Sequence, residues 1–134
     1  MSDPLIQLRQ ARESADLLRM SQAARAVVEA GPPLGGAWAE VVSLAIEAGD
    51  ELAAVRAGEK LVAEAPQHRE SWSWLASAQA ALGHEAEALK TLERALAREP
   101  EHPGLNRRAG RLLLDLGRRR EAEVRFGASL AREP

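Results

Sequence analysis

The stretch RESWSWLASAQAALGHEAEALKTLERALAREPEH, residues 69–102, carries the two-helix pattern that decides the fold. Its first half places four residues on one helical face at spacings of three and four: Trp72, Leu75, Ala76 and Gln79. Gly83 follows, and a glycine adopts the left-handed conformation that ends a helix at little cost. The second half repeats the helical spacing before Pro100, with an apolar face made of Ala88, Leu89, Leu92, Ala95 and Leu96. The stretch predicts a helix–turn–helix unit.

The same landmarks recur every 34 residues along the chain. Prolines keep this spacing at Pro32, Pro66, Pro100 and Pro134. Glycines keep it at Gly49, Gly83 and Gly117, alanines at Ala54, Ala88 and Ala122, and tryptophans at Trp38 and Trp72. A fixed period of this length is the signature of stacked supersecondary units that cover each other's apolar faces. We therefore predict an all-α solenoid of about seven or eight helices.

The period divides the 134-residue chain into three repeats, 35–68, 69–102 and 103–134, preceded by a divergent helical unit, 1–34. The first unit lacks both the turn glycine and the alanine of the other three. The stretch from Gly31 to Gly36 is the one linker-like segment, but the proline period continues across it. We therefore expect residues 1–134 to form a single domain.

The residues at these repeated positions resemble those of the tetratricopeptide repeat, whose period agrees. The resemblance rests on Trp72, Leu75, Ala76, Gly83, Ala88, Leu92, Ala95 and Pro100. It implies helical hairpins stacked in a right-handed superhelix, in which the first helix of each unit lines a concave groove that receives peptides. It also implies a non-catalytic scaffold whose partner is a protein or a peptide. Pentatricopeptide arrays have a similar period but fit these positions less well.

Small residues are expected where paired helices cross most closely, such as Ala88 on a second helix and Gly110 on a first helix. Gly58 stands where other repeats have Leu92 and Phe126. We expect it to cost about 1 kcal/mol of helix propensity and also to lose packing. Asn106 replaces the repeated tryptophan, and we expect its position to be less well packed.

Composition and motifs argue against catalytic, cofactor-binding or metal-binding residues. The chain has no cysteine, so it has neither a thiolate nucleophile nor a cysteine metal site. No glycine loop precedes a Lys-Ser/Thr pair, and Ala88 stands where a zinc-protease helix starting at His84 needs its second histidine. We expect His68 and His102 to be solvated loop residues, and Ser129 to pack within a helix.

The formal net charge is −2, with no apolar run of the roughly 18 residues that cross a bilayer. The residues Met1–Pro4 lack the features of a signal peptide. We expect a cytoplasmic protein with no membrane partner. The 16 arginines against 2 lysines indicate a GC-rich bacterial genome. Nucleic acid is not expected as a partner, because no basic stripe runs across the units.

The last repeat is locally basic. Residues 103–134 carry 8 basic and 4 acidic side chains, whereas residues 1–102 carry 10 basic and 16 acidic ones. If the first helices line a groove, as the resemblance implies, arginines, serines and an aromatic residue lie on it: Arg107, Arg108, Arg111, Ser73, Ser77 and Trp74. Arg107 and Arg111 share a helix face with Ser73 and Ser77 beside them, a strip suited to an acidic or carboxylate-terminated segment. A solvated helix face is the alternative interpretation.

In the resembled family, chaperone-binding members grip a terminal carboxylate with lysine, asparagine and arginine side chains. The matching positions here are Ala39, Ser43, Trp74, Gly104 and Arg108. Only Arg108 agrees, so the tails of heat-shock chaperones are not expected partners.

Pro134 closes the last period, and no capping helix follows it. A solenoid end without a polar cap leaves apolar surface open. We expect a fragment of a longer protein, and coverage of this end by another chain, such as self-association, is the alternative. The alternative function is an N-terminal regulatory or substrate-recruiting array of a larger bacterial enzyme, such as a sulfotransferase or a glycosyltransferase.

Overall fold

The computed structural model describes residues 3–132, which form eight α-helices and no strand. The helices are α1 (Pro4–Glu13), α2 (Leu17–Ala30), α3 (Trp38–Glu47), α4 (Glu51–Glu64), α5 (Arg69–Ala81), α6 (Glu85–Arg98), α7 (Pro103–Asp115) and α8 (Arg119–Arg132). Consecutive helices pair as hairpins, and the hairpins stack in a right-handed α-solenoid, as predicted. Pro134, the last proline of the period, lies outside the described residues.

The turns within the hairpins use left-handed backbone conformations. Gly49, Gly83 and Gly117 have φ values of 78°, 89° and 77°, which confirms the predicted role of the turn glycines. Ala15 lies one period before Gly49 and has a φ of 54°. This conformation costs a residue with a side chain about 1–2 kcal/mol. The divergent first hairpin therefore keeps the turn geometry without its glycine, at the cost of backbone strain.

Two glycines mark places where helices approach most closely. A Cβ added to the buried Gly58 would lie 3.0 Å from both the Cα and the Cδ1 of Leu75. Helix α5 occupies this space, so the expectation of lost packing at Gly58 is wrong. A Cβ added to Gly110 would lie 2.8 Å from the ring of Phe126, which confirms the need for a small residue at this crossing.

The apolar core runs along the stack as two buried clusters, one from Leu5 to Ala65 with Ala78, the other from Ala76 to Ala122. Trp38 is completely buried in the first cluster. Its Nε1 donates to Glu64 Oε2 at 2.6 Å, and the amide of Gly35 donates to Glu64 Oε1 at 2.9 Å. The linker-like segment before α3 is therefore held against α4.

Asp50 joins the first two hairpins through its buried carboxylate. Its Oδ1 accepts from the amide of Ala53 at 3.1 Å and so caps α4. Its Oδ2 accepts from Ser21 Oγ at 2.6 Å and from Arg25 Nε at 2.7 Å, both on α2. Burial raises the pKa of Asp50, but these hydrogen bonds together outweigh it and hold the pKa below its ordinary value.

Gly58→Ala tests the close approach of α4 and α5. Alanine adds about 1 kcal/mol of helix propensity, but the new methyl group must displace the backbone of Leu75, and overpacking costs about 1–3 kcal/mol. We expect a net loss in the free energy of unfolding, measured by urea denaturation. The matched control is Gly127→Ala on α8, where no atom lies within 4 Å of the added Cβ, and it is expected to stabilise the chain. A Gly58→Ala variant as stable as the control would refute the steric explanation.

Asp50→Asn tests the contribution of the buried carboxylate. The lowered folded-state pKa means that Asp50 stabilises the fold fully above its unfolded value, about 3.9, and that this stabilisation disappears as the pH falls through the folded-state value. We expect Asp50→Asn to lower the free energy of unfolding by about 1–3 kcal/mol at pH 7 and by much less at pH 2. Asp115→Asn, at an exposed position, is the control. An equal loss at both pH values would show that the charge of Asp50 contributes nothing.

Candidate partner-binding groove

A cavity of about 470 Å³ opens between α5 and α7, and we call it the α5–α7 groove. Helix α5 contributes Arg69, Glu70, Ser73, Trp74 and Ser77, and the segment that enters and forms α7 contributes His102, Gly104, Leu105, Arg107 and Arg108. Both helices are the first helices of their hairpins, as the family resemblance implies for a groove. The cavity lies at the basic end of the chain.

A smaller cavity of about 190 Å³ continues the groove along the same two helices, and we call it the apolar slot. It shares Ser77 and Arg108 with the groove and adds Ala76, Ala80, Leu92, Arg111 and Leu112. The six residues singled out in the sequence all line one of these cavities: Ser73, Trp74, Ser77, Arg107, Arg108 and Arg111. The structure therefore brings them together.

Arg108 is the arginine that reaches across to α5. Its Nη1 donates to Ser77 Oγ at 3.1 Å and lies 3.5 Å from the backbone oxygen of Ser73. Both acceptors are neutral. Within residues 3–132, neither Arg108 nor Arg111 has a carboxylate partner. The sequence interpretation centred on Arg107 and Arg111, whereas the structure shows that Arg108 makes the contact with the serines.

At the other end of the stack, the equivalent positions form an ion pair whose charges cancel. Arg9 of α1 donates from Nε and Nη2 to the two carboxylate oxygens of Glu40 on α3, at 2.8 and 2.7 Å. Hydrogen bonding by Arg9 lowers the pKa of Glu40, and the same pairing raises the pKa of Arg9. Counting in steps of 34 residues, Arg9 and Glu40 correspond to Ser77 and Arg108. The same contact between first helices thus carries a paired charge in α1–α3 and an uncompensated arginine in α5–α7.

The sequence contains this difference, but the difference can be recognised there only once the contact between Arg9 and Glu40 is known. The register that starts at Arg9 continues through Ser43 and Ser77 to Arg111. The register of Glu40 continues through Trp74 to Arg108. The period shows which residues are equivalent, whereas the structure shows that these two registers meet between neighbouring first helices.

Trp74 forms a half-buried aromatic wall of the groove. It packs against the first core cluster while the rest of its surface faces the cavity. Packing on one side restricts the ring, so it offers apolar surface to a ligand at little cost in conformational entropy. The groove therefore combines an aromatic surface with positively charged side chains.

Asn106 fixes the helix that carries the arginines. Its Nδ2 donates to the backbone oxygen of Pro100 at 3.0 Å, as Trp72 Nε1 does to that of Pro66 at 2.9 Å. Its Oδ1 accepts from Arg125 Nη1 at 3.3 Å, and the residue is completely buried. The expectation of poorer packing at this position is therefore wrong. The side-chain amide of Asn106 makes the hydrogen bond that the tryptophan makes in the preceding repeat. Asn106 thereby attaches α7 to the preceding loop.

The structure shows what surrounds His68, His102 and Ser129. His102 Nδ1 accepts from the amide of Leu105 at 3.1 Å and caps α7, whereas His68 is exposed at the start of α5. In the described part of the chain, no group of three or more His, Cys, Asp or Glu side chains is placed to hold a metal ion. Ser129 is buried in α8, as expected of a packing residue. Among the helices described, none combines the length and apolarity needed to cross a membrane.

Comparison with known proteins agrees with this architecture. The sequence model of a family described as tetratricopeptide repeat matches residues 80–134. No curated protein sequence matches the chain. A solved structure of MamA, residues 41 to the end, from Desulfovibrio magneticus RS-1 is 15% identical with a TM-score of 0.74, over 98% of this chain and 78% of that one. A thermophilic TPR protein of Thermus thermophilus is 22% identical with a TM-score of 0.68, over 97% and 73% of the two chains. At these identities the likeness shows the fold alone.

Proposed function

We propose that this chain, whose residues 80–134 match the tetratricopeptide-repeat family model, is a non-catalytic scaffold that binds a protein or peptide partner in the α5–α7 groove. The observation that carries the proposal is the uncompensated charge of Arg108 and Arg111 beside Trp74. An arginine that forms no ion pair depends on water or on a ligand for its counter-charge. A groove that holds such charge beside an aromatic wall suits a ligand with both acidic and apolar groups.

The partner is expected to be an acidic segment. Guanidinium groups bind carboxylates through paired, charge-assisted hydrogen bonds, which are about twice as strong as neutral ones. The rest of the chain supports this preference, because residues 1–102 carry an excess of acidic side chains. An acidic partner is therefore drawn towards the α7 end of the stack and repelled elsewhere.

Other features of the protein stay predictions from the sequence. They are a cytoplasmic location, a bacterial origin and a partner that is not nucleic acid. Self-association through α8 is also a prediction, and the exposure of Val124 and Leu130, at 72% and 71%, supports it. Light scattering as a function of concentration tests the last of these.

Charge reversal in the groove tests the proposed function. We expect Arg108→Glu combined with Arg111→Glu to weaken binding of fluorescein-labelled acidic peptides by about tenfold or more, because charge-assisted hydrogen bonds are lost and repulsion is added. The control is Arg94→Glu with Arg120→Glu, which makes the same change in net charge at exposed residues outside the groove. Circular dichroism checks that both variants are folded.

Two results would contradict the proposal. One is equal binding of acidic and neutral peptides by the wild-type chain. The other is equal weakening by the groove and control variants, which would mean that only the net charge matters. The earlier expectation about Arg107 is tested in the same way, by adding Arg107→Glu to the groove variant.

A further inference from the structure

We infer that the apolar slot selects one aliphatic side chain of the partner, so that the segment recognised carries a leucine-like residue close to an acidic one. The inference rests on the proposed function, because the slot is the continuation of the α5–α7 groove. It adds a specificity that charge alone does not provide. A groove lined only by arginines and serines would accept any acidic segment.

The slot has the size and lining of an aliphatic subsite. Ala76 and Ala80 of α5 face Leu92 of α6 and Leu112 of α7, and the cavity between them is about 190 Å³. An apolar cavity of about 150 Å³ holds a benzene molecule, so one aliphatic side chain fits. Ala76, Leu92 and Leu112 are each less than a tenth exposed, so these walls belong to the packed core. They are therefore preformed.

The room in the slot comes from the small side chain of Ala80. This residue is only partly buried and packs at the edge of the second core cluster. A larger apolar residue at this position would fill the space between these walls from the chain itself. With alanine there, apolar surface stays open at the groove, and covering it with a ligand side chain removes that surface from water.

The two arginines favour an acidic ligand at the slot. Arg108 and Arg111 are three residues apart on α7 and therefore lie on neighbouring parts of one helix face, and both line the slot. Arg108 also lines the larger cavity, so a segment that crosses both cavities passes this guanidinium group. In an extended peptide, residues advance by about 3.3 Å each. An acidic residue next to the aliphatic residue in the slot therefore stays within reach of the arginines.

Charge complementarity favours an acidic protein segment over other occupants. A basic segment would be repelled by Arg108 and Arg111, and a nucleic acid backbone has no aliphatic group for the slot. A second copy of this chain would have to present an acidic segment with an exposed aliphatic side chain, so it is one form of the same chemistry. Only an acidic, aliphatic segment satisfies the arginines and the apolar walls together.

A pair of peptides tests the inference on the wild-type chain. Both are nine-residue peptides of glutamate and aspartate, fluorescein-labelled at the amino terminus and amidated at the carboxyl terminus. Their one variable central residue is leucine in one and serine in the other. We expect the leucine peptide to bind about tenfold more tightly, as burial of one aliphatic side chain predicts. Fluorescence anisotropy at fixed salt measures both dissociation constants. Because the comparison uses the wild-type chain, it does not depend on the folding of a variant.

The variant Ala80→Leu then tests whether the slot causes the preference for the leucine peptide. The larger side chain fills the slot, so the variant is expected to bind the two peptides equally. Ala81→Leu, at the exposed neighbouring position, is the matched control and should keep the leucine preference. Circular dichroism establishes that each variant is folded.

The outcomes separate this inference from the function on which it rests. Equal binding of both peptides to the wild-type chain, weakened by Arg108→Glu with Arg111→Glu, overturns the slot and keeps the basic groove. A leucine preference that survives in a folded Ala80→Leu variant also overturns the slot. Failure of both peptides to bind, while the chain is folded, overturns the proposed function itself.

Discussion

The whole molecule depends on how closely neighbouring helices can approach. A small residue is needed where a helix backbone meets either another backbone or a large ring. The chain supplies one at Gly58 against the backbone of Leu75 and at Gly110 against the ring of Phe126. The first contact limits the spacing between two successive hairpins and the second the spacing within the last hairpin, because close-packed interiors deform little.

Buried polar groups complete the placement that the small residues begin. Asp50 attaches the second hairpin to α2 through Ser21 and Arg25, and Asn106 attaches α7 to the loop before it. A buried polar atom without a hydrogen bond is costly, so each of these residues admits few alternative positions. The buried side-chain polar atoms of the described residues all have partners. The stack is thus held together by directional hydrogen bonds as well as by apolar contacts.

Against this uniform framework, the surface between first helices changes along the stack. Arg9 and Glu40 neutralise each other at the α1–α3 contact, whereas Arg108 meets only Ser77 and Ser73 at the α5–α7 contact. An exposed ion pair contributes little to stability, so these positions can vary without harm to the fold. Variation of this kind produces a local binding surface on a repeated framework. The apolar slot adds shape to a site that would otherwise depend on charge.

The sequence alone determined the helices, the period and the hairpin turns, because each depends on local spacing or on one residue type. Six of the residues that line the two cavities were expected from the family resemblance, and the other lining residues were not. Ala15 and Gly58 show the limit of such reasoning. A left-handed alanine is tolerated because the hairpin around it is packed, and the space at Gly58 is filled by Leu75 from the next hairpin. Only the tertiary structure decided which arginine contacts the serines and that an apolar slot stays open beside it. Both depend on the distance between the first helices of neighbouring repeats, which are 34 residues apart in the sequence. Packing between repeats sets that distance, so the sequence of one repeat does not reveal it.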